Sequence, residues 1–405
     1  MNSPERRLRR ERAAEDARCR GRDGEREATE RARLRSLKVK TVIRENHGAA
    51  CTRVIELAPS ESACGNLFAT VGGKTLTVYD DEHFGEHAAV VAQYAHETTE
   101  HQEGGEITAM CWVRWSVDKE NANVRRRAHE FGDAVLAIGD EHGFVSVISV
   151  AENRVVARIK AHASAVRDMD GARGRDGFIV SIGDDGMLKA WDVFGGEEEG
   201  ECAGTFQVGD ACSVACHADG ALAVTGHRSG ANVKRWNLAG GITQTGEKLS
   251  GGFGATFTPR HAVECVRIVG DVVFAKTRDA RFETYDLAKN KPIAQWSEPN
   301  ERARSGANLK RDTPPSRFGV SPNGKYLATG DSTSSAELFI HDARTGELIS
   351  TLQPLRVTGA VHAAAVVDHC RHAFASYGPG VVWRYEVVPE PADDASISPF
   401  EAASA

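Results

Sequence analysis

Residues 178–192 read FIVSIGDDGMLKAWD: an apolar run, a serine, an acidic turn with glycine, a second run, and a closing Trp-Asp. Two short runs rich in β-branched and aromatic side chains, joined by Asp-Asp-Gly, predict a β-hairpin. The same pattern recurs outward in both directions. It reads NLFATVGGKTLTVYD at 66–80, AVLAIGDEHGFVSVIS at 134–149 and ALAVTGHRSGANVKRWN at 221–237. It continues as DVVFAKTRDARFETYD at 271–286, KYLATGDSTSSAELFIHD at 325–342 and HAFASYGPGVVWRYE at 372–386. The closing positions are Tyr79, Ile148, Trp191, Trp236, Tyr285, His341 and Tyr385, spaced 43 to 69 residues apart. A further short strand precedes each hairpin, as in EITAMCWVRW (106–115), and another follows, as in RVVARIKAH (154–162), which makes four strands per repeat.

A four-stranded unit cannot bury both its faces alone, so the repeats must stack in a ring, and the ring must close or expose an edge prone to aggregation. The seventh copy ends near Val388 with no strand after it, while SLKVKTVIR (36–44) alternates polar and apolar side chains. The expected fold is therefore all-β: a seven-bladed WD-repeat β-propeller over residues 36–390, with 36–45 closing the last blade. Residues 1–35, rich in arginine and carboxylates and poor in large apolar side chains, are expected to be a disordered charged N-terminal arm, and 391–405 a flexible tail. The stretches near 80–104, 115–131, 194–204, 239–261 and 298–314 read as long loops.

Composition agrees. Forty glycines against four methionines suit many short strands and tight turns. No run of eighteen apolar residues exists, so no membrane span is expected, and a soluble intracellular protein is. Nine scattered cysteines form no CxxC pair, which points to reduced thiols, and no metal or other cofactor is expected. Cys370 with His369 and His372 is the nearest thing to a metal cluster, but no second segment of matching spacing supports it. The net charge of −7 hides an asymmetry: residues 1–40 carry 14 basic and 8 acidic side chains, leaving the rest near −13. An acidic body disfavours direct DNA binding and suits basic partners such as histone tails.

The third repeat carries the fullest polar set: His162, Ser181, Asp185 and Trp191. Buried polar side chains must pair, and these four are read as a structural hydrogen-bond network that locks the blade. The spacing of Ser181, His162 and Asp185 follows the repeat itself, which argues against a catalytic triad. The sequence has no P-loop, no GxSxG elbow and no HExxH, so no enzyme is expected.

Beyond the general repeat, LFATVGGKTLTVYD (67–80), the Trp112 region, VLAIGDEHGFVSVI (135–148) continuing into RIKAHASAVRDM (158–169), VECVRIVGDVVFAK (263–276) and RFGVSPNGKYLATG (317–330) carry a family likeness. In order and spacing the chain resembles the EED/extra sex combs/FIE family, the WD-repeat subunit of Polycomb repressive complex 2, from about residue 46 to 388. The resemblance implies a non-catalytic nuclear scaffold that supports transcriptional repression. It implies as partners a SET-domain methyltransferase for histone H3 lysine 27, held by a helical segment in a groove on one face, and other Polycomb subunits, with the histone H3 tail as a further candidate. In the family an aromatic cage on the opposite face binds trimethyl-lysine through cation–π attraction. The positions that match the cage here are Thr52, Thr108, Pro314 and Pro315, beside the retained pair Arg317-Phe318, and in blade one the neighbouring Cys51 and Arg53 are equally non-aromatic. A cage of this kind is therefore not expected to form. The alternative classes are a substrate receptor of a cullin-type ubiquitin ligase, for which His341-Asp342-Ala343-Arg344 is a partial docking motif, and a generic WD-repeat interaction platform.

Overall fold

The computed structural model describes residues 24–388 apart from 48–49, 51, 59–64, 84–86, 97–104, 116–133, 196–199, 230–232, 239–246, 249–261, 300–314, 331–335, 354–358 and 368–369. It is a seven-bladed β-propeller: the strands form seven four-stranded antiparallel sheets around a central channel. The strands that line the channel are Thr52–Leu57, Ile107–Val113, Val166–Gly171, Ala211–Cys216, Val263–Val269, Gly319–Val320 and Val361–Val366 for blades one to seven. Six blades are built from strands consecutive in sequence. The seventh takes Leu37–Arg44 from the N-terminus as its outer strand, paired with Val381–Val387 in register Leu37↔Val387 to Arg44↔Val381. One sheet thus joins both ends of the propeller and leaves no open seam.

All seven closing positions read from the sequence lie on the third strand of their blade. Each faces a residue on the second strand, for example Trp191↔Ile179, Trp236↔Ala223 and Tyr79↔Phe68. Between blades the fit is tight at recurring glycines. A Cβ on Gly330 would sit 2.1 Å from Val361, and one on Gly226 would sit 2.5 Å from Val263. Both valines begin the inner strand of the following blade, so glycine there sets how closely neighbouring blades approach.

Two expectations change. Of the arm expected over 1–35, residues 1–23 lie outside the described residues, and residues 24–36 are helical. This segment has too little apolar surface to fold alone, but it does not stand alone. Leu34 is wholly buried in the cluster of Tyr326, Leu338, Leu352 and Trp383. Glu30 accepts from the Tyr326 hydroxyl at 3.1 Å, and Arg31 meets Asp342 at 2.5 Å and Glu347 at 2.8 Å. The other change is in the expected long loops: 194–204 runs into the outer strand of blade three, Glu201–Gln207, 239–261 holds that of blade four, Glu247–Lys248, and 80–104 holds that of blade one, His87–Ala95. Its HAAVVAQYA lacks clean alternation because an outer strand has little to pack against, and Val90 and Val91 stay exposed. The tail 391–405 lies outside the described residues.

Candidate functional site

The hydrogen bonds of blade three bring together all four residues singled out there. The Trp191 indole donates to Ser181 Oγ (3.1 Å), Ser181 Oγ lies 2.8 Å from His162 Nε2, and His162 Nδ1 lies 3.0 Å from Asp185. Asp185 also takes the backbone N–H groups of Ala163 and Met187. The chain of donors runs in one direction if the imidazole is neutral. Burial holds its pKa below the usual histidine value, outweighing the pull of Asp185. Burial alone would raise the Asp185 carboxyl, but the Ala163 N–H, His162 and the Met187 N–H together bring it below the ordinary range. Ser181 has no exposed surface.

Blade four contains a second copy that the sequence reading missed. Trp236 donates to Thr225 Oγ1 (2.8 Å), Thr225 lies 2.9 Å from His227 Nε2, and His227 Nδ1 lies 3.1 Å from Asp210. The acid and the imidazole have exchanged places in the chain: His162 precedes its inner strand and Asp185 follows the second, whereas Asp210 precedes its inner strand and His227 ends the second. The signal that could have found it is the hydroxyl register, since Ser181 and Thr225 both lie two residues beyond the partner of the closing tryptophan. Thr70 and Thr329 hold that register in blades one and six and bond to Glu45 and Glu298. In blade six the wholly buried Lys276 ammonium joins the set, 2.8 Å from Thr329 and 3.0 Å from Glu298. Ile138, Ala275 and Ala375 hold it in the others and are apolar.

The cage-equivalent positions lie where the inner strands begin. In six blades the inner strand carries a register shift that leaves one extra residue: Arg53, Thr108, Arg167, Cys212, Glu264 and His362. Counting back from Val320↔Leu327 in the same way places Ser316 there in blade six. The register thus corrects the blade-one position: the equivalent of Thr108 is Arg53, and Thr52 is a wholly buried neighbour. Bulges re-aim single side chains, and here several of them stitch one blade to the next. Arg53 reaches Glu106 (2.6 Å), Thr108 reaches the Val166 carbonyl (2.6 Å), the Cys212 thiol reaches the Val263 carbonyl (2.9 Å), and Glu264 takes the Ser316 N–H (2.8 Å). Pro315 is exposed and Pro314 lies outside the described residues.

Arg317 does something different. Its guanidinium crosses the channel from blade six to Asp168 of blade three at 2.5 Å, and Asp168 also takes the Ser213 hydroxyl and the Val214 N–H. Burial alone would raise the Asp168 carboxyl, but Arg317 and Arg267 hold it below its ordinary value. A second crossing, Arg267 of blade five to Glu56 of blade one, measures 3.0 Å. Beyond that level, where the inner strands end, the channel widens into a cavity of about 470 Å³ walled by residues including Trp112, Trp115, Val269 and Phe318.

His372, one of the two histidines near Cys370, is held by Asp81 and by Arg384 Nη2 (3.1 Å), and His369 lies outside the described residues. No group of three or more metal-type side chains is found among the described residues. No described helix is long and apolar enough to cross a membrane. Neither a protein-family model nor a curated protein matches the chain. The class these features define is a seven-bladed β-propeller, consistent with a WD-repeat protein, and its fold is that of an interaction platform.

Proposed function

We propose that the protein is the non-catalytic scaffold of a Polycomb-type histone H3 lysine-27 methyltransferase complex in the nucleus. In this reading it resembles the EED/extra sex combs family. It holds the SET-domain methyltransferase by a helical segment on one face and supports transcriptional repression. The observation that carries the reading is VECVRIVGD at 263–271, a run that the repeat alone does not require. Its residues are put to specific use in blade five: Glu264 takes the Ser316 N–H, Cys265 is core, Arg267 crosses the channel, and Gly270 turns the chain at φ +56°. RFGVSPNGKYLATG adds the second crossing residue, Arg317, and the seam glycine Gly330.

The proposal does not include trimethyl-lysine reading. Arg53, Thr108 and Arg317 are engaged in stitching or crossing, and without ring faces the cation–π attraction of about 0.5–2 kcal/mol per contact is lost. Affinity purification of the tagged protein from its own cells, followed by mass spectrometry, tests the proposal. Recovery of a SET-domain methyltransferase with its companion subunits is expected. A cullin adaptor in its place would transfer the protein to the ubiquitin-ligase receptors.

A further inference from the structure

Each outer strand of the ring ends its sheet with one row of backbone N–H and C=O groups unpaired, and native edges of this kind are blunted by charge, proline or shortness. Six of the seven follow that rule. Leu37–Arg44 carries Lys38, Lys40 and Arg44, and Arg154–Lys160 carries Arg154, Arg158 and Lys160, all exposed. Glu201–Gln207 opens on an exposed glutamate, Glu247–Lys248 has two residues, and Lys291–Ser297 begins with Lys-Pro. Leu348–Leu352 has five residues and starts beside Glu347, which Arg31 of the docked helix holds at 2.8 Å. His87–Ala95 is the exception. At nine residues it is the longest outer strand, and it contains no acidic residue, lysine, arginine or proline. Val90 and Val91, 61% and 49% exposed, are the two most exposed large apolar side chains among the described residues. A bulge at Val91 does not set this edge apart, since five other outer strands carry one at the same level.

We propose that this edge is a dimerisation surface, on which the outer strand of blade one pairs antiparallel with the same strand of a second copy about a two-fold axis near Val91. Such a contact is isologous, so the strand must be complementary to itself. An uncharged strand meets its own image with no like charges opposed. Elsewhere the acidic body, with a net charge near −13 beyond residue 40, repels a second copy. In the pair the exposed valines of each copy cover those of the other, and each unpaired row of backbone groups finds its complement. A foreign strand is served less well. Extended peptides added to a sheet edge take their affinity from main-chain bonds and their specificity from side-chain pockets, and neither described cavity is lined by a residue of this strand. The edge lies on the rim of the ring, away from both mouths of the channel, so the dimer is independent of the methyltransferase reading and leaves both faces open. One strand against one strand is a small contact, so the pairing is weak and depends on concentration.

The test is sedimentation velocity of the full chain from about 1 to 100 μM, with backbone hydrogen exchange measured at the two ends of that range. The sedimenting mass is expected to rise from one chain to two and to stop there, since pairing uses up the edge. Amides of residues 87–95 should gain protection with concentration while those of the other outer strands do not. Val90→Lys and Val91→Lys each place a charge at an exposed position, and each should weaken association at least tenfold with the melting temperature unchanged. Should either variant not fold, the exchange pattern of the unaltered protein decides alone. A single-chain mass throughout, growth past two chains, protection on another edge, or dimers indifferent to both substitutions would each overturn the proposal.

Discussion

Ser181 and Thr225 do the same work on neighbouring blades, each linking a tryptophan indole to an imidazole with no water between. Removing either hydroxyl strands a buried indole N–H and an imidazole nitrogen, so Ser181→Ala and Thr225→Ala should each cost about 1–3 kcal/mol in urea unfolding. A cost confined to Ser181 would show that only blade three depends on its network. The acids and bases in these blades also set a pH dependence. His162 and His227 are held below their ordinary pKa by burial, so the unfolded chain takes protons that the folded one refuses. Their contribution is complete above about pH 6.5 and declines as the pH falls below it. Glu283, wholly buried, runs the other way: burial lifts its carboxyl to about 7, against the opposing pull of the neighbouring Gln295 amide. Its contribution is complete below the ordinary glutamate value and is lost as the pH rises through 7. Glu283→Gln should therefore raise stability at pH 8 by on the order of 3 kcal/mol and leave it nearly unchanged at pH 4. Parallel curves for the two proteins would refute that assignment. The blade-three network was legible because His162, Ser181, Asp185 and Trp191 stand in the order the repeat expects. The blade-four network was not, because exchanging Asp210 and His227 preserves the geometry while scrambling the motif.

At the scale of single elements, the helix at 24–36 shows how a segment unfit to fold alone can be ordered by a surface made elsewhere. Its contacts are of two kinds with different expected strengths. Leu34 is wholly buried, so Leu34→Ala should cost about 2–4 kcal/mol, limited by the free energy with which the helix docks. The Arg31 pairs with Asp342 and Glu347 are partly exposed, so Arg31→Ala should cost no more than about 1 kcal/mol, and less in high salt. Urea unfolding of the two variants separates these cases, and a larger loss from Arg31→Ala would make the docking electrostatic. Charge and low apolar content gave no hint of this helix, since its partners lie more than 300 residues away in the chain. The inner-strand bulges were hidden for a related reason. An extra residue in a strand shows only against its partner strand, which is why blade one was aligned on Thr52 and not on Arg53.

For the whole molecule, closure rests on Leu37–Arg44. A chain lacking residues 1–44 leaves Val381–Val387 as an open edge and uncovers part of the cluster around Trp383 and Tyr385. It should aggregate on expression, whereas removal of residues 1–23 alone should leave the yield unchanged, as gel filtration would show. A monomeric product from the longer truncation would mean that six complete blades and a three-stranded seventh are self-sufficient. The ring was legible because seven repeats with matching closing positions need no long-range information beyond their own count. The channel was not, since Arg317 and Asp168 are 149 residues apart and Arg267 and Glu56 are 211 apart, on blades that face one another. Those two crossings act as spokes. A wheel held only at its rim deforms by ovalising, one diameter lengthening as another shortens. A strut across two different diameters resists this, so a load applied at one blade is shared by the blade opposite rather than opening the nearest seam.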